Sequence, residues 1–367
     1  MKHKSLRSLG FIRMVVESSI YYTPATSDLG LTIIGTVVDD FLIIAWDREV
    51  MAEVKRRLAT VWKIVDKGPA KWMINLRVRR DRPAGILKLD QSVYIESKMR
   101  QFGIDHLPPV ELPMKPHTRL SSKMCPVDED DIVAAENLPY RSHTGALNYL
   151  RVTRADMCCV NSILSQFNKR WGQAHFDETT HAWQYAAATK HWGLIFRKSG
   201  WTYDKKVKVS VWVDEGFVSC PDTRRSRCGF FVFLNGDVID FGCKLQPGVP
   251  AQSTAATEYR AVTDVCNAVI WIRACLKELG IEIQEPVLFH EDNETCINMS
   301  TNYMTTKRTK HIDVKHHVIR YWCDNDVIDF AYNTMYCVTD GQLADIMTKV
   351  LTSPCFKRLR CRCMSTV

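Results

Sequence analysis

Four acidic residues in the second half of the chain, Asp214, Glu258, Asp292 and Asp345, each stand at the edge of a separate candidate element. Asp214 ends a strand pattern, Glu258 falls in the first turn of a long helical pattern, Asp292 follows an apolar run, and Asp345 belongs to a closing helix. Hard oxygen ligands converging from several elements are what two Mg2+ ions need to keep octahedral geometry while bridging a scissile phosphodiester. A plainer reading fits the same residues: acids at strand ends are commonly solvated, and a glutamate near a helix N-terminus is favoured by the helix dipole. A second acidic pair, Asp39-Asp40, separates the β-rich runs Leu31 to Val38 and Phe41 to Ala45, as at the tip of a hairpin.

The elements that must position these acids are legible in outline. Asp47 reads as the N-cap of a helix whose stripe is Val50, Met51, Val54, Leu58, Val61 and Trp62, ending at Gly68. A hairpin follows around Arg82-Pro83-Ala84-Gly85, then a helix from Ser92 to Phe102 stopped by Gly103. Pro108 to Pro126 is Pro-rich and polar and reads as a linker, and Tyr140 to Phe167 begins a helical connector. Beyond Gly200, valines at 207, 209, 211 and 213 alternate with Lys208, Ser210, Trp212 and Asp214, so Asp214 falls on the face opposite the valines. Asn235-Gly236 marks a tight hairpin. A long helix from Thr254 to Leu279, a strand from Pro286 to Glu291, more helix, a short strand near Val327 to Tyr332 and a closing helix from Gly341 to Lys349 complete a mixed sheet with helices.

Composition narrows the class. The chain has 367 residues, 46% of them hydrophobic and 25% charged, which excludes wholesale disorder and a fibrous repeat. Lys and Arg exceed Asp and Glu by 49 to 41, and the net +8 favours a polyanionic partner if it is clustered. Fourteen scattered cysteines with no secretory signal ahead of them read as reduced thiols in an intracellular protein that is not secreted. They show no zinc-ligand spacing. The longest apolar run, Leu31 to Trp46, is interrupted by Asp39-Asp40, so no membrane span is expected.

The residues around the acids resemble the ribonuclease H domain that ends the polyprotein of copia-type retrotransposons. The stretch Pro221-Asp222-Thr223-Arg224-Arg225-Ser226 with Gly229-Phe230, the pairs Ser253-Thr254 and Glu258-Tyr259, and Asp292-Asn293 carry the likeness. The most specific segments are Lys307-Arg308-Thr309-Lys310-His311-Ile312-Asp313 and Gln342-Leu343-Ala344-Asp345-Ile346-Met347-Thr348-Lys349. Upstream, Val37-Val38-Asp39-Asp40 is similar to the polymerase motif Tyr-x-Asp-Asp, and Tyr140-Arg141-Ser142 through Leu164-Ser165-Gln166-Phe167 is similar to the family's connecting segment. Glu215-Gly216-Phe217 stands where the family usually has Ala-Asp-Trp, and Ala256 where it usually has Glu.

The resemblance implies an α+β or α/β chain with three parts. Residues 1–115 are the end of a reverse transcriptase, with the palm hairpin and the start of the thumb. Residues 116–200 are a linker and helical connection segment, and residues 201–367 are a ribonuclease H-like domain with a mixed five-stranded sheet. It makes Asp214, Glu258, Asp292 and Asp345 the catalytic metal-binding carboxylates for two Mg2+ ions, with Mn2+ as the alternative ion, and Asp39 and Asp40 ligands of an incomplete polymerase site. DNA synthesis by this chain alone is not expected, because the family's other polymerase aspartate lies upstream of residue 1. The expected partners are an RNA–DNA hybrid or other nucleic acid, met through Arg224, Arg225, Arg308 and Lys310, and the upstream polyprotein segments. His311 fits either a proton-transfer or a structural role. Two functional readings stand: a ribonuclease H acting on RNA–DNA hybrids, or a catalytically dead retroelement remnant that is non-functional or only binds nucleic acid.

Overall fold

A computed structural model describes residues 2–202, 205–247, 254–293, 296–297, 317–325, 327–332 and 341–364. The chain divides into two compact units. One holds Met1–Lys71, Trp201–Val207 and Asn267–Gln284, and the other holds Trp72–Gly200, Lys208–Cys266 and Glu285–Val367.

In the first unit, helix α1 (Lys2–Ser8) precedes an antiparallel sheet of β1 (Ile12–Arg13), β2 (Ile20–Thr23), β3 (Thr32–Val37) and β4 (Asp40–Ile44), in sequence order. The expected hairpin is present: Val37 pairs with Asp40, and Val38 turns the chain at φ 48°. Asp47 caps α2 (Arg48–Ala59), accepting the Val50 amide at 2.8 Å. The helix stops at Ala59 rather than continuing toward Gly68, and Val54 and Leu58 bury its inner stripe against Leu6, Phe11 and Ile34.

The second unit begins with β5 (Trp72–Met73), β6 (Leu76–Asp81) and β7 (Ile86–Asp90), followed by α3 (Ser92–Gln101). The hairpin between β6 and β7 turns at residues 82–85, as the Arg-Pro-Ala-Gly sequence predicts. Helices α4 (Glu129–Glu136), α5 (Tyr140–Leu150), α6 (Cys158–Leu164) and α7 (Gln173–Ala188) form the connector. Strand β8 (Gly193–Arg197) then returns to pair antiparallel with β7, a partnership between segments a hundred residues apart that local pattern does not announce.

The remaining strands, β9 (Val209–Gly216), β10 (Arg227–Leu234), β11 (Asp237–Leu245), β12 (Val287–Glu291) and β13 (Ile328–Tyr332), form a five-stranded sheet in the order β11-β10-β9-β12-β13. The first three run antiparallel, whereas β12 and β13 run parallel to β9. This is the mixed five-stranded sheet expected of a ribonuclease H-like fold. Asn235 (φ 50°) and Gly236 (φ 92°) supply the positive φ pair that a two-residue hairpin with right-handed strand twist requires. Between β11 and β12 lies α8 (Thr254–Glu278), and α9 (His317–Asp324) precedes β13.

After β13 come α10 (Asp345–Thr348), shorter than the closing helix expected over 341–349, and α11 (Ser353–Cys363). A single apolar core joins connector residues Tyr140, Leu147 and Trp183 to Phe231 and Phe233 of the sheet and to Ile346, Phe356 and Leu359 near the C-terminus. Each such large apolar side chain, fully buried, contributes about 1.5–3 kcal/mol.

Candidate metal centre

Strand register builds the centre. Alternation along β9 buries Val209, Val211 and Val213 on one face and turns Asp214 to the other, where it is 2% exposed. On one side of β9, the parallel pairing of Leu288, Phe289 and His290 with Ser210, Val211 and Trp212 sets a constant offset. Two residues further on, the same offset brings Asp292 beside Asp214. On the other side, Asp214 pairs with Gly229 of β10, which has no side chain to crowd it. A Cβ at Gly229 would come within 2.3 Å of the Met347 Cβ and 2.8 Å of the Thr348 Cγ2, so the glycine is what lets α10 lie directly on the sheet. Gln342 pins the entry to α10, its side-chain amide donating to the Val213 carbonyl at 3.0 Å.

Asp214, Glu258 and Asp292 converge from three elements, each offering an oxygen so that the three atoms lie within 4.8 Å of one another. Glu258 enters from the start of α8 and is buried, while Asp292 is the exposed member. Asp345 joins through a cation: the Lys349 ammonium lies 2.5 Å from its Oδ1 and 3.5 Å from Oδ1 of Asp214. The Thr348 hydroxyl donates to the other Asp214 oxygen.

Electrostatics follow from this crowding. Burial, reinforced by the charge of Glu291, raises Glu258 well above the ordinary carboxylate range. Burial and the neighbouring Asp292 do the same to Glu291. Asp292 is exposed as a residue, but its carboxylate, drawn into the cluster, is raised by desolvation there and by Asp214; Asp345 is pushed up to about 7 by burial and the Asp214 charge. Burial alone would lower the Lys349 pKa, but Asp214 and Asp345 reverse this and hold it above its usual value. Among the described residues, the Oε2 atoms of Glu258 and Glu291 are buried without a hydrogen-bond partner. Hard oxygen donors, convergent and electrostatically undersatisfied, fit a divalent cation of the Mg2+ or Mn2+ kind.

The four acids singled out in the second half of the sequence are therefore brought to one place, Asp345 by way of Lys349. Asp39 and Asp40 stand exposed at the β3–β4 turn, with Lys67 3.6 Å from Asp40. Arg224 is exposed at φ 53° and Arg225 is half-buried, both on the loop after β9. Arg308, Lys310 and His311 lie outside the described residues. Two further arginines, Arg227 close to that loop and Arg360 near the C-terminus, are buried, 2% and 8% exposed. Sequence reasoning missed Lys349, although its position four residues after Asp345 is the helical spacing for an ion pair. It also missed the buried Glu291 beside Asp292.

Comparison with known proteins supplies the family. Residues 2–116 match the model of a reverse transcriptase (RNA-dependent DNA polymerase) family. The chain is 30% identical over 347 residues to the retrovirus-related Pol polyprotein from transposon TNT 1-94 of Nicotiana tabacum, covering 94% of this chain and 25% of that protein. It is 28% identical over 352 residues to the corresponding polyprotein from transposon RE1 of Arabidopsis thaliana, covering 96% of this chain and 23% of that one. The chain thus spans about a quarter of the length of these relatives. An N-terminal ribonuclease H domain from Mycobacterium tuberculosis, solved as a fusion with maltose-binding protein, aligns at TM-score 0.27 and 10% identity, over 42% of this chain and 96% of that one. The fold assignment stands on the strand order and directions described above and not on that alignment. With a reverse transcriptase segment at the front, a five-stranded mixed sheet behind it and Pol polyproteins aligned over nearly its whole length, the chain belongs to the copia-type retrotransposon Pol family.

Proposed function

We propose that this chain is an Mg2+-dependent endoribonuclease that cleaves the RNA strand of RNA–DNA hybrids, with Asp214, Glu258, Asp292 and Asp345 as its working carboxylates. The observation that carries the reading is the convergence of Asp214, Glu258 and Asp292 within 4.8 Å from a strand, a helix start and a neighbouring strand end. On this reading residues 1–115 are a polymerase end without a polymerase role of their own, 116–200 the connection segment and 201–367 the nuclease.

Bound Mg2+ would supply the positive charge that polarises the scissile phosphate and activates water. The protein's own contribution is placement. Asp214 and Glu258 are buried and fixed on regular structure, so their oxygens keep their spacing. Asp292, the exposed member, faces the side from which a phosphate backbone can approach. Asp345, on α10, would add a further carboxylate at the edge of the cluster, held there by Lys349. Selection of a hybrid would rest on groove width and 2′-hydroxyl contacts, with Arg224 and Arg225 following phosphates.

The test is hydrolysis of a labelled RNA–DNA hybrid in Mg2+ by the purified chain, beside Asp292→Asn. Cleavage of the RNA strand by the parent chain and its loss in the variant are expected. No cleavage, or equal cleavage by the variant, defeats the reading. Salt-sensitive duplex binding without turnover would favour the binding-module alternative.

A further inference from the structure

The Lys349 ammonium touches both ends of the acid cluster, 2.5 Å from Asp345 and 3.5 Å from Asp214. Its side chain is 40% exposed, so it reaches the carboxylates from the solvent side while Asp345 and Asp214 are 6% and 3% exposed. The backbone leaves it little choice of partner. Gly229 and Gln342 seat α10 on the sheet, and the helical spacing from Asp345 to Lys349 folds the ammonium back over that acid. Asp292 adds a further favourable charge to the same ammonium.

We propose that Lys349 is a built-in counter-ion of the acid cluster, neutralising the Asp214–Asp345 pair when no divalent cation is present and opposing the entry of one. An oxygen of Asp345 that accepts from Lys349 is not free to face a metal until the ammonium moves away. A divalent cation also meets repulsion from a full positive charge a few ångströms from its ligands, where effective dielectric is far below that of water. Lys349 therefore sets how tightly the centre takes its metal, and it stabilises the fold when the centre is empty. The first consequence rests on the metal-site reading above; the second does not.

Both are measured on the purified full chain, after removal of metal, by thermal melting and by calorimetric titration with Mg2+ and with Mn2+. Lys349→Met is expected to lower the metal-free melting temperature by several degrees and to tighten Mg2+ binding about tenfold. Lys349→Arg, which keeps the charge, is expected to stay near the parent in both. Adding Asp345→Asn to Lys349→Met should restore the lost melting temperature, because the charge that needed neutralising is gone. Unchanged melting and unchanged Mg2+ affinity in Lys349→Met, or weaker Mg2+ binding, overturns the proposal. If the parent chain takes up neither ion, the metal-site reading falls, and the melting temperatures of the single and double variants still decide the counter-ion. If Lys349→Met does not fold, folding of the double variant supports the counter-ion and its failure to fold overturns it.

Discussion

The guanidinium of Arg360 lies 3.9 Å from the centroid of the Trp192 ring, and its Nη1 donates to the Tyr185 hydroxyl at 2.9 Å. Tyr185 in turn donates to Asp156, which is ion-paired with the fully buried Arg154 at 2.8 Å. The last helix is thereby locked to α7 and to the start of β8 through a planar stack and a buried chain of charge-assisted hydrogen bonds.

Replacing Arg360 removes the stack and leaves Tyr185 with one fewer buried partner. Arg360→Met should destabilise the second unit by about 2–4 kcal/mol. Arg360→Lys should recover little of this, since an ammonium can neither stack nor fork. The midpoint of denaturant unfolding for the full chain measures both, and a midpoint unmoved by Arg360→Met would refute the lock.

Gly229→Ala tests the seat of α10. The added methyl would press on Met347 and Thr348, and overpacking of this kind costs about 1–3 kcal/mol. Because α10 carries Asp345 and leads into Lys349, the proposed hydrolysis of an RNA–DNA hybrid should fall at least about tenfold in a variant that remains folded by circular dichroism. Activity equal to the parent would mean that α10 need not lie so close to β10.

Asp292→Asn should separate activity from stability. The carboxylate is held above its ordinary pKa by burial and by Asp214, so its charge works against the fold when no cation is bound. The variant is expected to melt at or slightly above the parent temperature in metal-free buffer while losing about a hundredfold or more of the hydrolytic activity proposed above. A lowered melting temperature would show that Asp292 is a structural residue.

His143 sets an acid limit. It is 1% exposed, packs 4.1 Å from Phe102 by ring centroids, and burial lowers its pKa to about 4 from an ordinary 6.5. Between those values the unfolded chain binds the proton and the folded one does not, so stability is full above pH 6.5 and falls as pH drops toward 4. The loss from this residue is about 3 kcal/mol. His143→Gln should flatten that part of the stability curve, and denaturant melts from pH 4 to pH 7 on both chains make the comparison.

Much of the architecture is written in short-range signals. Asn235-Gly236 dictates its hairpin because few residue pairs accept two successive positive φ values, and Asp47 caps α2 through its own side chain. The alternation along β9 places Asp214 opposite the valines, and parallel register with β12 then carries Asp292 alongside it. What stays hidden depends on distant segments. Strand β8 has no local mark that it will join β7, and nothing in a Lys-Arg-rich tail tells a phosphate-tracking arginine from Arg360, whose partners are Trp192 and Tyr185. Lys349 lies between these cases: the spacing to Asp345 is local, but the contact with Asp214 exists only once α10 rests on Gly229.

The closure of α11 onto Tyr185 has a consequence for synthesis. The two bonded residues are 175 positions apart, which at about 5–20 residues per second places roughly 9–35 s of elongation between them. Throughout that interval the nascent helices have emerged without Phe356 and Leu359, which complete their core, and without Arg360, the partner of Tyr185. Ribosome-bound chains halted before Ser353 should hence present uncovered apolar surface and engage holding chaperones, and emergence of α11 is the event that ends that dependence.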